Sequence, residues 1–158
     1  EDGDGKIQLE TGADGIQAEE FTVDADFKQA SRALKKRSKD LRSSVKKALL
    51  ITGLKGIEII EDRTSKGRSY KGSFFKKYNA KYKAYRLSRG RSSKPNLEFT
   101  GKMLGSMAVI SNSRQAEIYF TRGTEAKKAA MNEKKRPFFG FSRNEKKQLG
   151  KVFERYLK

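Results

Sequence analysis

The chain has 158 residues, 35% hydrophobic and 35% charged, with a formal net charge of +18 and a pI near 10.1. That length suits one domain with a core of its own, and a charge of that size predicts a polyanion or an acidic protein surface as partner without specifying a fold. The lack of cysteine and histidine excludes disulfides and thiolate chemistry, and it removes the commonest metal ligand and the commonest general base near neutral pH.

Residues 1–26 carry nine acids against one base, Lys6, a net −8, whereas residues 27–158 carry 36 bases and 10 acids, a net +26. The first segment reads as an extended acidic arm, and weak alternation in "KIQLET" and "EEFTV" allows it at most short strands. The asymmetry points to electrostatic partners. The arm folds back on the basic body, reaches a neighbouring basic subunit, or stays solvated; composition leaves the three open. An acidic start is unlike a signal peptide, and no apolar run approaches the roughly 18 residues that span a bilayer. Residues 27–158 read as a single basic domain.

From Asp26, a possible cap, apolar or small residues recur at Phe27, Ala30, Leu34, Leu41, Val45, Ala48, Leu49, Thr52, Gly56, Ile59 and Ile60. The steps are mostly three or four, which makes one stripe on a long amphipathic helix, with room for a break near Ser38. Lys35, Lys36, Lys39, Arg42, Lys46 and Lys47 fall on the opposite face. Gly53 and Gly56 each weaken the helix by about 1 kcal/mol relative to Ala, and they permit close packing against a neighbour.

Residues 62–79 show no period and are punctuated by Gly and Ser, so they read as a loop, long enough to be functional or flexible. Residues 80–89 suit a short helix capped by Asn79, and 90–97 another loop. "FTGKMLGSM" reads as a short helix capped by Thr100. "MAVISN" and "QAEIYFT", joined at Ser111–Arg114, form a β-hairpin with Ala116, Ile118 and Phe120 on one face. Thr124 opens a further short helix. Ser142 and Glu145 make an S-x-x-E capping box, after which Leu149, Val152, Phe153, Tyr156 and Leu157 have helical spacing. The expected fold is α+β: a long N-terminal amphipathic helix, a small antiparallel sheet with a β-hairpin, a C-terminal amphipathic helix and the extended acidic N-terminal arm.

Catalysis would have to draw on carboxylates, Lys, Tyr or Ser. Glu58, Glu61 and Asp62 cluster near the end of the long helix, and two-metal nucleases use such carboxylates. No second acidic motif stands at a suitable place, so the cluster reads as helix-end charge. P-loop, dinucleotide-binding and nucleophile-elbow patterns are absent, and "KGRSYKG" lacks the phosphate-loop spacing. No catalytic, cofactor-binding or metal-ligating residue is assigned.

Between Arg63 and Lys94 lie twelve bases, with no acid between Asp62 and Glu98. Tyr70, Phe74, Phe75, Tyr78, Tyr82 and Tyr85 are interleaved. Cations with rings suit contact with a nucleic-acid backbone and stacking on bases. Taken singly, Phe74, Phe75 and Tyr82 read as core rings, and the charge density as the functional part. Arg68, Lys71, Lys76, Lys77, Lys81 and Arg86 are assigned to a basic surface facing DNA or an acidic partner. No motif that reads a base sequence is present.

In "KKRPFFGFSRNE", residues 134–145, three phenylalanines fall within four positions. Phe141 can staple onto the capped helix. That leaves two rings for the core or for an adjacent subunit, where aromatics and Arg are the usual anchors. Arg136, Phe138, Phe139 and Phe141 are therefore core or subunit-interface anchors, the three rings tying the last helix to the hairpin.

The order of these features resembles the phage virion morphogenesis family, the tail-completion and head–tail neck proteins of tailed bacteriophages. A segment like L-x-x-T-G-x-M-L-x-S falls on Leu97, Thr100, Gly101, Met103, Leu104 and Ser106. One like R-P-F-x-G-x-S-x-x-D/E falls on Arg136, Pro137, Phe138, Gly140, Ser142 and Glu145. The likeness covers residues 27–158; the acidic arm lies outside it. It implies a structural virion protein with no reaction and no cofactor, a subunit of a homo-oligomeric ring, hexameric or dodecameric, at the neck or upper tail. Its implied partners are adjacent head-connector and tail-tube proteins, with non-specific contact to packaged double-stranded DNA and none to membrane. Assembly would take place in the host cytoplasm. The rival expectation is a monomeric nucleic-acid-binding protein of ribosomal or chromatin type, and a nuclease is more distant.

Overall fold

The structure, a computed structural model, describes residues 6–9, 19–22 and 40–157; for the first two stretches it describes the backbone. The elements are β1 (Lys6–Leu9), β2 (Glu19–Thr22), α1 (Asp40–Ser65), α2 (Ala80–Ser88), β3 (Met107–Ser111), β4 (Gln115–Phe120), α3 (Gly123–Glu133) and α4 (Arg143–Tyr156). The class is α+β. The two weakly alternating stretches of the acidic segment are its short strands. One sheet runs in the order β2-β1-β4-β3. The hairpin β3–β4 and the pair β1–β2 are antiparallel, whereas β1 joins β4 in parallel, so the sheet is mixed. The start of the long helix at Asp26, and its first residues to Lys39, lie outside the described residues.

The stripe read along α1 is its buried face: Ala48, Leu49, Thr52, Gly56 and Ile60 are all buried. The helix crosses the sheet at its two glycines. A Cβ added at Gly53 would lie 2.5 Å from Val109 Cγ1, and one at Gly56 would lie 3.0 Å from both Ile118 Cδ1 and Phe141 Cζ. A side chain at either position would hold the helix off the strands. The helix runs three residues past Asp62, where the sequence predicts a loop. It ends in a Schellman motif: Arg68 N–H donates to Arg63 O at 3.1 Å and Gly67 N–H to Thr64 O at 2.9 Å, with Gly67 at φ +71°. The stop signal is Gly67, the residue that takes a left-handed conformation without strain.

The hairpin alternates as its sequence predicts, with Ala116, Ile118 and Phe120 buried. Asn112 closes it by accepting from the N–H groups of Arg114 and Gln115 at 2.7 and 2.9 Å. Asn79 caps α2 by accepting from Tyr82 N–H at 2.7 Å. The helix expected after Thr100 shrinks to one 3-10 turn, Leu104–Ser106. Gly101 at φ +74° interrupts the helical backbone, and Thr100 Oγ1 reaches only Lys102 N–H, at 3.5 Å. The capping box of α4 forms: Ser142 Oγ accepts from Glu145 N–H, and Glu145 accepts from Ser142 N–H at 2.7 Å. This helix packs along α1, with Phe153 against Leu49, Ala48 and Ala116.

Phe138, Phe139 and Phe141 are all buried within the single chain. Phe139 meets Phe120 of the hairpin at 5.0 Å between ring centroids. A loop drawn inside must have its backbone satisfied, and two charged residues do that. Glu133 accepts from the N–H groups of Phe138 and Phe139 at 2.9 and 3.0 Å. Arg63 donates to Phe138 O at 2.5 Å and Gly140 O at 2.9 Å, while its other nitrogen meets both Glu145 oxygens at 2.7 Å. Arg136 donates to Lys76 O at 2.8 Å and Lys77 O at 3.3 Å. The rings are core anchors, and Arg136 ties their loop to the basic stretch.

Candidate functional site: a cationic aromatic cleft

The basic stretch does not form one flat surface. Arg68 and Phe74 pair in an antiparallel bridge, and Ser69 N–H donates to Ser73 O at 2.8 Å, so residues 68–74 fold back on themselves. Neighbouring residues in extended chain face opposite ways. Phe75 therefore enters the core, and Phe74, expected there too, stands 71% exposed with Arg68 Cζ 4.6 Å over its ring. Lys71 is exposed beside Tyr70, and Lys81 is exposed on α2.

Arg86 is a correction. The sequence assigns it to the basic surface, but it is 1% exposed. Its Nε donates to Ser92 O at 2.8 Å, and one Nη donates to Asn96 Oδ1 at 3.0 Å and Glu98 O at 2.8 Å. Its guanidinium carbon lies 4.9 Å from the ring centroid of Tyr78, 5.9 Å from that of Tyr82 and 5.8 Å from that of Phe99. A planar cation with five donors suits carbonyls in its plane and rings above it. Arg86 thus organises the loop 90–99 and is not available to bind DNA.

Around Arg86 opens a cleft of about 690 Å³, walled by α2, by residues 97–103, by α3 and by the segment before the phenylalanine loop. Its rings are Tyr78, Tyr82, Tyr85 and Phe99, with Tyr85 and Phe99 stacked at 5.7 Å and 12°. Its cations are Lys76, Lys77, Lys128, Lys135, Arg86 and Arg136. The structure therefore brings together Lys76, Lys77, Arg86 and Arg136 of the predicted residues. Arg68, Lys71 and Lys81 do not line the cleft.

Sequence reasoning misses Phe99, Glu125, Lys128 and Lys135. A signal is present: Lys127, Lys128, Lys134, Lys135 and Arg136 form a second basic cluster just before the rings of residues 138–141. Glu125 is 4% exposed; its Oε1 accepts from Lys128 Nζ at 2.8 Å, and its Oε2 meets no donor among the described residues. Glu58 and Asp62 are paired charges near the helix end, as the sequence reads them, Glu58 with Lys55 at 2.5 Å and Asp62 with Lys66 at 2.7 Å. Glu61 is pushed up from the usual carboxylate range by burial and then by the nearby charge of Glu98. No group of three metal-ligating side chains occurs among the described residues, and no described helix is long and apolar enough to cross a membrane.

Comparison with protein-family models, with curated proteins and with solved structures returned no match.

Proposed function

We propose that the chain is a structural subunit of a homo-oligomeric ring at the head–tail neck or tail end of a tailed-phage virion, surrounding the DNA path. The observation that carries the reading is the folded context of the two segments on which the resemblance rests. Each is locked to a distant part of the chain by its own backbone. In the first, Ser106 O accepts from both the N–H and the hydroxyl of Thr121, at 2.8 and 3.1 Å, which fastens the turn to the end of β4. In the second, Arg63 holds Phe138, Gly140 and Glu145. Residues spent in this way shape a scaffold and leave its surface for assembly.

That surface supports the reading in two respects. Ten of the twelve bases between residues 63 and 94 are exposed, and among the described residues only Lys66 of these pairs with a carboxylate. Such charge suits non-specific contact with phosphates. Leu50 and Leu54 on α1, and Ile110 on the edge strand β3, are exposed apolar groups for a neighbouring copy to cover. An unlike pair of surfaces repeated head to tail closes into a ring when the rotation between copies closes.

The test is the mass of the purified chain by light scattering across a chloride series without nucleic acid. The reading expects a discrete closed oligomer. The second reading, a monomeric nucleic-acid-binding protein, is favoured by the cationic aromatic cleft. A monomer at every salt concentration that binds free DNA or RNA tightly, with a steep loss of affinity as salt rises, would replace the ring by that reading.

A further inference from the structure

The cleft combines three chemistries that a scaffold does not require. Ring surface is accessible in it: Tyr82 and Tyr85 are 37% and 45% exposed. Cations stand at one end, where Arg136 ties the backbone of Lys76 and Lys77 to the segment carrying Lys135. The third is an acceptor, the buried Glu125 oxygen with no donor among the described residues. A buried acceptor without a donor is destabilising, and native structures keep few of them. A volume of about 690 Å³ is within the range of small-ligand sites.

Candidate ligands differ in how many of these they satisfy. An acidic peptide answers the cations but brings further negative charge to Glu125. Duplex DNA offers phosphates but keeps its base faces and most of its base donors inside the stack. A nucleotide with an unpaired base offers a phosphate, a π-face and N–H donors together. We propose that the cleft binds a nucleotide unit. Its base stacks on Tyr82 and Tyr85, its phosphate lies among Lys76, Lys77 and Lys135, and its amino or imino N–H donates to Glu125 after a rotation of that carboxylate turns Oε2, sealed from solvent in the free chain, toward the cleft. The unit comes from a free nucleotide or from an unpaired position in a single strand. The site stands whether the chain is a ring subunit or a monomer.

The chain has six tyrosines and no tryptophan, so quenching of tyrosine emission reports a base stacking in the cleft. The full chain is titrated with GMP, inorganic phosphate, a mixed-sequence single-stranded DNA 12-mer, the matching duplex, and a peptide of residues 1–26. Quenching by GMP, absent with phosphate, identifies a free nucleotide. Quenching by the 12-mer alone identifies a strand. In either case the duplex binds at least tenfold more weakly than the quenching ligand. Tyr85→Ala weakens binding at least fivefold. Because Tyr85 also stacks on Phe99, a double variant of exposed groups, Lys77→Ala with Lys135→Ala, is measured too, and it weakens binding without lowering the unfolding temperature. Glu125→Gln shifts the preference among the four nucleoside monophosphates. The proposal is overturned if neither GMP nor the 12-mer quenches, if duplex binds as tightly as the ligand, or if the acidic peptide displaces it at equal concentration.

Discussion

Arg63 ties three parts of the interior together. It is almost buried, and its two terminal nitrogens join the end of α1 to the phenylalanine loop and to the first turn of α4. Removing one partner of a buried pair leaves the other charge uncompensated, so Arg63→Ala is expected to cost about 3–5 kcal/mol in urea unfolding. Pairing Arg63→Met with Glu145→Gln removes both charges and recovers part of that loss. A single-variant loss under about 1 kcal/mol would show that the loop is held by its rings alone. Glu61 makes a prediction of opposite character. Its carboxyl is pushed up by burial and by Glu98. The protonated form therefore favours the fold, and that contribution is lost as pH rises through the raised value. Glu61→Gln should match the parent in stability below the usual carboxylate range and exceed it near pH 7; a pH-independent difference between the two would contradict the burial argument. Neither role is legible in the sequence. Arg63 and Arg86 stand in a run of bases, and nothing local separates them from exposed neighbours such as Lys66 and Lys81. Their partners are backbone carbonyls, the Asn96 side chain for Arg86 and, for Arg63, a glutamate 82 positions away. Burial of an arginine is decided by tertiary partners, which no periodicity encodes.

Elements whose cause is local are legible. The hairpin shows in the alternation of Ala116, Ile118 and Phe120, the last helix in its capping box, and the buried face of α1 in its stripe. Elements bounded by a left-handed residue are misplaced, because Gly67 and Gly101 look like loop composition in the sequence and act as stop signals in the fold. The cleft has no period at all, since three separate stretches, 76–86, 97–103 and 125–136, wall it. The α1–sheet contact supplies the prediction for this level of structure. Gly53 faces Val109 so closely that an added methyl would overlap Val109 Cγ1. Gly53→Ala gains about 1 kcal/mol of helix propensity, while overpacking costs about 1–3 kcal/mol. Val109 is β-branched and stiff, so it cannot swing clear, and the overlap is expected to win. Val109→Ala makes room. The double variant should therefore be more stable than the sum of the two single effects by about 1 kcal/mol in a double-mutant cycle. Additivity would mean that helix and strand separate freely at this crossing.

Across the whole molecule, two electrostatic effects oppose each other, and salt tells which prevails. A body of +26 repels itself, while an acidic segment of −8 attracts it. Repulsion destabilises the folded chain and is relieved by screening; attraction stabilises it and is lost. The exposed ion pairs Lys55–Glu58 and Lys66–Asp62 contribute little to either side, since such pairs are worth about 0–1 kcal/mol. The tie between Arg63 and Glu145 is largely shielded from solvent and responds weakly to ions. The acidic segment is held to β4 by a parallel strand ladder, so its attachment does not rest on charge alone. Repulsion among the ten exposed cations of residues 63–94 then outweighs that attraction. Raising sodium chloride from about 0.01 M to about 0.5 M shortens the screening length from roughly 30 Å to under 8 Å. Stability should rise by about 1 kcal/mol or more, roughly 3 °C in unfolding temperature for a chain of this size. Replacing Lys71, Lys76 and Lys81 by Gln should flatten that rise while leaving the high-salt value unchanged. An unfolding temperature that falls with chloride would reverse the assignment: attraction between acidic segment and basic body would then outweigh the repulsion within the body.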